Sequence, residues 1–355
     1  MASDQDLVVE TVRDILSGFE PFVLTPDRSW DSALWSTLAE AGLTGVGLPE
    51  SSGGSGGELA DAVAIVRTLA AGAAAVPVAE QLLVAGPAVV ACDLDLPSPE
   101  EPLTFAVAPG VTAHASDDGD GPGRFTLSGT ASDVAWAEVT RHAALLTSGP
   151  AGPVLALVTL DGLPVEPAAN LAGEPRGSVV LDGVAASGAL LTADEAAALR
   201  ARFALARAVQ LAAALEQVLA WTVQYAGERQ QFGRPLGKFQ AIQMELAEMA
   251  GEVTAVTALT DAAVQAVERG SAELVLACAA AKVRAGAAVE VVARLAHQVH
   301  GAIGFTQEHK LHHLTRRLWA WRDEAGSELT WAPVLAAGLL ADGPDGLWPA
   351  LTRVI

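Results

Sequence analysis

The feature that most restricts the fold is a double change of hydrophobic period along the chain, from helical to alternating and back to helical. From Asp4 to about Val90 apolar residues recur at three- and four-residue intervals, as in Leu7, Val8, Val12, Ile15 and Leu16, then Leu34, Leu38 and Leu43, then Ala62, Ile65, Val66 and Leu69. One loop interrupts this region at 48–57, where four glycines and an X-Pro step cannot continue a helix. Past the proline-rich connector Leu96–Pro102 the pattern becomes short runs separated by Gly, Asp and Pro clusters: Leu103–Ala108, Arg124–Ser128, Ala143–Leu146, Val154–Thr159 and Ser178–Leu181. These runs predict a small antiparallel β unit. Thr192-Ala-Asp-Glu195 then reads as a helix N-cap. Helical stretches follow to about Glu228 and over Gly237–Glu268, Ser271–His300 and Gln307–Trp321, joined by short Gly-bearing breaks. A chain of 355 residues has room for two or three compact units. The expected class is α+β: an all-helical N-terminal domain (1–101), a small middle antiparallel β domain (102–190) and a C-terminal four-helix bundle (191–355).

Charge excludes several partners. Twenty-one basic against 42 acidic residues give a formal net charge of −21, a field that repels phosphate backbones and anionic headgroups, so neither nucleic acid nor a membrane surface is an expected partner. The longest uninterrupted apolar runs, Leu69–Ala79 and Leu82–Cys92, carry Gly or Pro and fall short of the ~18 residues of a spanning helix. Cys92 and Cys278, the two cysteines, lie in apolar helical segments and read as free thiols in a reducing compartment. The start, MASDQDLVVE, is acidic and lacks an apolar core, so no targeting signal is read there and a cytoplasmic protein is expected.

Generic motifs carry little. Gly53-Gly-Ser55-Gly-Gly57 fits the pattern of a nucleophile elbow, but an elbow needs a strand before it and a helix behind it, and helical patterns flank this loop. Asp117–Gly123 reads as a hairpin tip, since it lacks the regular oxygen ligands and closing Glu of a calcium loop. His309 and His313 could share a helix face, but no H-E-x-x-H glutamate lies between them, and with His312 they read as surface histidines amid Lys310, Arg316 and Arg317. Neither a P-loop nor a strand-led G-x-G-x-x-G is found.

Two stretches of the last third are more specific. One runs from Tyr225 through Arg229, Phe232, Gly233, Pro235, Leu236, Gly237, Phe239, Gln240, Ile242 and Gln243 to Leu246, Ala247 and Met249. The other runs from Gln298 through His300, Gly301, Ala302, Ile303, Gly304, Phe305, Thr306 and Glu308 to Leu311. Together with AGLTGVGLPE at 41–50 and GTASDVAWAEV at 129–139, they resemble the acyl-CoA dehydrogenase family of flavoproteins, in that family's order and over essentially the whole chain. The resemblance implies the same three-part fold. It also implies FAD as cofactor, an acyl-CoA thioester as substrate and an electron-transfer flavoprotein or similar acceptor.

In the family the first stretch reaches across a subunit interface to the cofactor. Arg229 then matches a pyrophosphate clamp, for which a permanently charged, forked guanidinium is suited, and Phe232-Gly233 lets the backbone approach closely. Gln298, Gly301 and Ala302 match a second arm toward the adenosine half, with Ala302 replacing a usual glycine.

The chemistry implied by the resemblance needs a glutamate to remove the α-proton of the acyl-CoA while hydride leaves the β-carbon. Counting in register, the usual base falls on Ala325 in Glu324-Ala-Gly-Ser327, and the alternative position on the preceding long helix falls near Phe203, between Arg202 and Ala204. No catalytic residue is therefore assigned. Glu324 is the fallback base; Glu328 would lie a further turn away. Gly110-Val-Thr-Ala-His-Ala-Ser-Asp117 also departs from the loop that lines the flavin ring in the family. The pattern resembles the smaller subunit of actinobacterial α2β2 acyl-CoA dehydrogenases of the steroid-degrading type, in which a companion supplies base and ring loops. Two alternatives stand beside it: a self-sufficient homotetramer using Glu324, and a flavin-free scaffold of the same fold.

Overall fold

The computed structural model describes residues 4–19, 24, 30–116, 123–341 and 343–349; the Asp117–Gly123 tip lies outside them except for its last residue. The chain forms two compact units, one of Met1–Val66 with Ala74–Ala206, the other of Arg67–Ala73 with Arg207–Ile355.

The first unit begins with helices α1 (Asp4–Ser17), α2 (Ser32–Glu40), α3 (Leu59–Ala71, which continues into the second unit), α4 (Val78–Glu80) and α5 (Gly86–Ala91). Asp31 caps α2, its Oδ1 accepting from Leu34 N at 3.0 Å, and the helical period buries Leu34, Trp35 and Leu38 on one face. The glycine loop is a packed turn. Ser55 Oγ donates to Gly42 O at 2.6 Å, and a Cβ on Gly54 would lie 2.3 Å from Leu48 O. Ser55 is thus used structurally.

Between α4 and α5 one π-helical turn, Gln81–Ala85, places a buried amide where three backbone groups need it. Gln81 Nε2 donates to Thr44 O (2.8 Å) and Pro99 O (2.9 Å), and its Oε1 accepts from Leu103 N (2.8 Å). Arg202 Nε donates to Leu83 O of the same turn at 2.5 Å.

The sheet follows: β1 (Leu103–Ala115), β2 (Arg124–Ala135), β3 (His142–Gly149), β4 (Gly152–Thr159), β5 (Val165–Ala169) and β6 (Pro175–Leu190). Its order is β2-β1-β3-β4-β6-β5, and a further β2–β6 pairing closes the first five strands on one another, leaving β5 on β6. Inside pack Val111, Leu127, Val134, Leu145, Val154, Val158, Val179 and Leu181. The pairings are antiparallel except β1 with β3, which is parallel, so the purely antiparallel expectation is corrected at that pair. A parallel neighbour is possible because β2 and its turns separate β1 from β3 in sequence. β1 also runs on past Pro109-Gly110, with a register shift between Val107 and Thr112 that absorbs the proline.

The second unit takes α6 (Ala193–Glu228) from Arg207 onward, then α7 (Gln240–Glu268), α8 (Leu274–His300), α9 (Leu311–Asp323) and α10 (Glu328–Leu339), which packs along α8. By length and composition α6 alone among the described residues could cross a membrane; 72% of that window is buried, as in the core helix of a globular unit.

Candidate functional site

α6 ends at Glu228, but Arg229 N–H still donates to Tyr225 O at 2.8 Å. Two minimal strands, β7 (Gln230–Gln231) and β8 (Arg234–Pro235), then pair antiparallel. Phe232 (φ +51°) and Gly233 (φ +79°) form the two-residue turn, both left-handed as a type I′ hairpin demands. Leu236 N–H donates to Arg229 O at 2.8 Å and closes the hairpin. Arg229 is therefore held by both backbone groups while its side chain is exposed, and among the described residues no carboxylate pairs with it. The Phe232 ring is 92% exposed, edge-on to Phe239 at 6.2 Å, and the Arg234 guanidinium lies 4.1 Å above the Phe239 ring.

The second arm begins where α8 stops. Gly301 adopts φ 64°, ψ −144°, a conformation in effect restricted to glycine, and its N–H donates to His297 O. A 3-10 segment, Gly301–Phe305, follows, and Gln298 and Ala302 are exposed on it and on the last turn of α8. A Cβ on Gly301 or Gly233 would meet nothing within 4 Å, so the space before both is open.

Ring contacts bring the two arms to one end of the unit. Tyr225 and His300 stack with centroids 4.5 Å apart and planes 22° from parallel; His309 stands edge-on to both, at 6.4 Å and 4.9 Å. His297 stacks on Phe305 at 4.4 Å, and Lys310 Nζ lies 4.4 Å above Trp221. His309 is thus a half-buried member of this ring cluster, and His312 and His313 are half-buried and packed ring to ring on each other, which corrects their reading as surface histidines: the 3-10 segment after α8 brings α9 back against α8. Among the described residues no group of three or more His, Cys, Asp or Glu could hold a metal.

The segment around Ala325, the base position expected from the sequence, joins a buried polar knot. Glu324 Oε2 lies 2.8 Å from Nε of Arg207, a side chain 1% exposed, and Arg207 Nη1 donates to Gln210 Oε1 at 2.7 Å. Lys282 Nζ, on α8, donates to Arg322 O (2.5 Å) and Gly326 O (2.7 Å); burial pulls its pKa down to about 8 despite the acidic groups around it. Arg322 Nε pairs with Glu328 Oε1 at 2.8 Å, and Gly286 is bare where a Cβ would come 2.7 Å from that carboxylate. Ala325 sits at φ 55°, and its carbonyl accepts from Trp331 Nε1 at 2.8 Å. Phe203, the alternative position, packs edge-on against Phe105 at 5.1 Å.

The structure thus gathers Arg229, Phe232, Gly233, Gln298, Gly301 and Ala302 at one end of the second unit, and sets Glu324 and Ala325 in the knot. Reasoning from sequence named Tyr225 and His300 only as members of the two stretches, without a role, and did not single out Arg207 or Lys282. For Arg207 and Lys282 the available signal was a lone charge inside an otherwise apolar helical face.

Residues 2–91 match the family model described as acyl-CoA dehydrogenase, N-terminal domain, and residues 196–330 match acyl-CoA dehydrogenase, C-terminal domain. The chain is similar to the acyl-CoA dehydrogenase IpdE2 of Mycobacterium tuberculosis, 32% identical over 292 residues that cover 81% of each. Its structure is similar to a Tcur3481–Tcur3483 steroid ACAD variant, at 28% identity and TM-score 0.83 over 96% of this chain and 98% of that one. It is similar also to the ChsE4–ChsE5 complex from Mycobacterium tuberculosis, at 25% identity and TM-score 0.84 over 97% of this chain and 99% of that one.

Proposed function

The chain belongs to the acyl-CoA dehydrogenase family, and from that premise we propose that it is the non-catalytic subunit of a heteromeric, α2β2-type acyl-CoA dehydrogenase of the cytoplasm, supplying contacts to FAD but no base. The observation that carries this reading is the Arg207–Glu324 ion pair. With Ala325 at the usual position, Glu324 is the nearest carboxylate, and it is committed to a buried guanidinium. A carboxylate fixed by a buried cation is a poor proton acceptor, because protonating it would strand the cation.

The arms fit the diphosphate-bearing half of FAD. Arg229 offers an exposed guanidinium with no anionic partner among the described residues, in a chain where acidic residues outnumber basic ones two to one. Open space lies before Gly233 and Gly301, and Gln298 adds an exposed amide that both donates and accepts. The flavin-ring side does not fit in the same way: residues 110–115, where the family has a loop, belong to strand β1, with 111–115 paired to β2. When bound, FAD supplies the hydride acceptor. Arg229 and Gln298 would hold its remote half, and the companion would supply the ring loops and the glutamate. Likeness to a steroid ACAD and to a two-component complex supports a steroid side-chain CoA ester as substrate and a companion of the same family. Electrons would pass on to an electron-transfer flavoprotein or a similar acceptor.

The test is cofactor stoichiometry. Purified alone the chain is expected to be colourless or faintly yellow, and co-purified with its companion it should give about one FAD per two chains. Full FAD in the solitary chain supports the self-sufficient alternative, and none in the complex supports the flavin-free scaffold.

A further inference from the structure

The ring cluster at the end of α6 and α8 has no part in the function proposed above, yet it is the contact that brings the two arms together. His300 is 3% exposed; its Nδ1 donates to Ala296 O at 2.7 Å, which leaves Nε2 as a buried acceptor with no partner among the described residues. Tyr225 lies one turn before Arg229 and accepts that residue's N–H, while His300 directly precedes Gly301. Any shift between these two rings therefore moves the guanidinium against the glycine arm.

We propose that Tyr225, His300 and His309 are positioning residues that lock the Arg229 and Gln298–Ala302 arms in register, and that protonation of the imidazoles releases the lock. The proposal rests on the reading of these arms as a cofactor site.

The surroundings favour neutral rings. Around His300 and His309 stand Tyr225 on α6, His297 on α8, Lys310 in the turn and His312 on α9, while His312, Arg316 and Arg317 act in turn on His313. The nearby carboxylates are engaged elsewhere: Glu308 accepts from its own backbone N–H and from Thr306, and Glu228 accepts from Gln224 Nε2 at 2.8 Å. Burial is the first cause holding His297, His300, His309 and His313 below the ordinary histidine range, and neighbouring cations add to it; His313 is brought to about 4. A single imidazolium on the Tyr225 face would be tolerated as a cation–π contact. Two at the His300–His309 separation of 4.9 Å repel each other without a counter-ion. The folded arm therefore resists protons that the released arm accepts. The lock holds above the ordinary value of 6.5 and weakens as pH falls below it.

The chain has one tyrosine, so a carbon-13 ring label on the full-length protein gives a single resonance from the lock. The expected result is a signal that titrates with a midpoint below 6.5, and a titration whose amplitude falls in His300→Phe, which keeps a stacked ring without an ionisable group and leaves His309 as the one imidazole edge-on to Tyr225 among the described residues. A signal that stays flat from about pH 8 to about pH 4.5, or an unchanged titration in His300→Phe, overturns the proposal. If His300→Phe does not fold, amide hydrogen exchange of the wild-type chain decides. Acid-dependent loss of protection confined to 221–236 and 297–313 supports the lock, whereas uniform loss or none overturns it. None of these readouts involves FAD. Arg229→Ala, which should strip the cofactor from the complex and leave the tyrosine titration unchanged, tests the underlying reading separately.

Discussion

Arg207 Nε and Glu324 Oε2 lie 2.8 Å apart inside the second unit, joining α6 to the end of α9. In the function proposed above, this pair makes Glu324 a structural anion and not a base. In the assembled enzyme Glu324→Gln is therefore expected to leave turnover within about threefold of wild type while lowering stability by roughly 1–3 kcal/mol, because Arg207 loses its counter-charge. Urea unfolding of the chain and turnover of the complex check the two halves, and loss of turnover without loss of stability contradicts them.

Lys282 gives an expectation of the same pH sign as the acid-sensitive histidines, in a more alkaline window. Its folded pKa is about 8 against an ordinary 10.5, so between those values the unfolded chain binds more protons than the folded one. Stability contributed through Lys282 should rise as pH climbs through that window, by an amount on the order of 1–3 kcal/mol. Comparing denaturant unfolding of wild type and Lys282→Met isolates this contribution, since the variant lacks the titrating group. Identical pH slopes would show that the ammonium is not held as the structure has it.

Gly301 separates backbone strain from packing. A Cβ there meets nothing within 4 Å, yet φ 64° with ψ −144° is closed to L side chains, so Gly301→Ala should cost about 1–3 kcal/mol by strain alone. The loss should appear as increased hydrogen exchange in 297–310 and as weaker FAD retention in the complex.

Arg229→Ala should leave the isolated chain's stability within about 0.5 kcal/mol of wild type, because the side chain is exposed and makes no ion pair among the described residues. FAD retention in the complex should fall about 10- to 100-fold, the worth of one charge-assisted contact to a phosphate. Equal retention would remove Arg229 from the cofactor site.

The legible parts of the fold were those with a strong local period. α7 and α8 are long runs of apolar residues at helical spacing, and their observed bounds lie close to those read from the sequence. β5 was missed because Val165-Glu-Pro-Ala-Ala169 is almost wholly exposed and carries a proline, so it shows neither alternation nor an apolar run. The second half of β1 was hidden by Pro109-Gly110, read as a break although the strand absorbs it in a register shift. At the candidate site the exposed arm residues were legible as a motif. The Tyr225–His300 stack and the Lys282 contacts were not, since they join residues 75 and 44 positions apart through tertiary packing that no local pattern encodes.

The most direct test of the central claim is turnover by the complex when the companion's own base glutamate is replaced by glutamine. If this chain holds the cofactor's remote half and contributes no base, activity should vanish while FAD stays bound. Residual turnover that is abolished only when Glu324→Gln is added would contradict the account and make this chain a catalytic subunit.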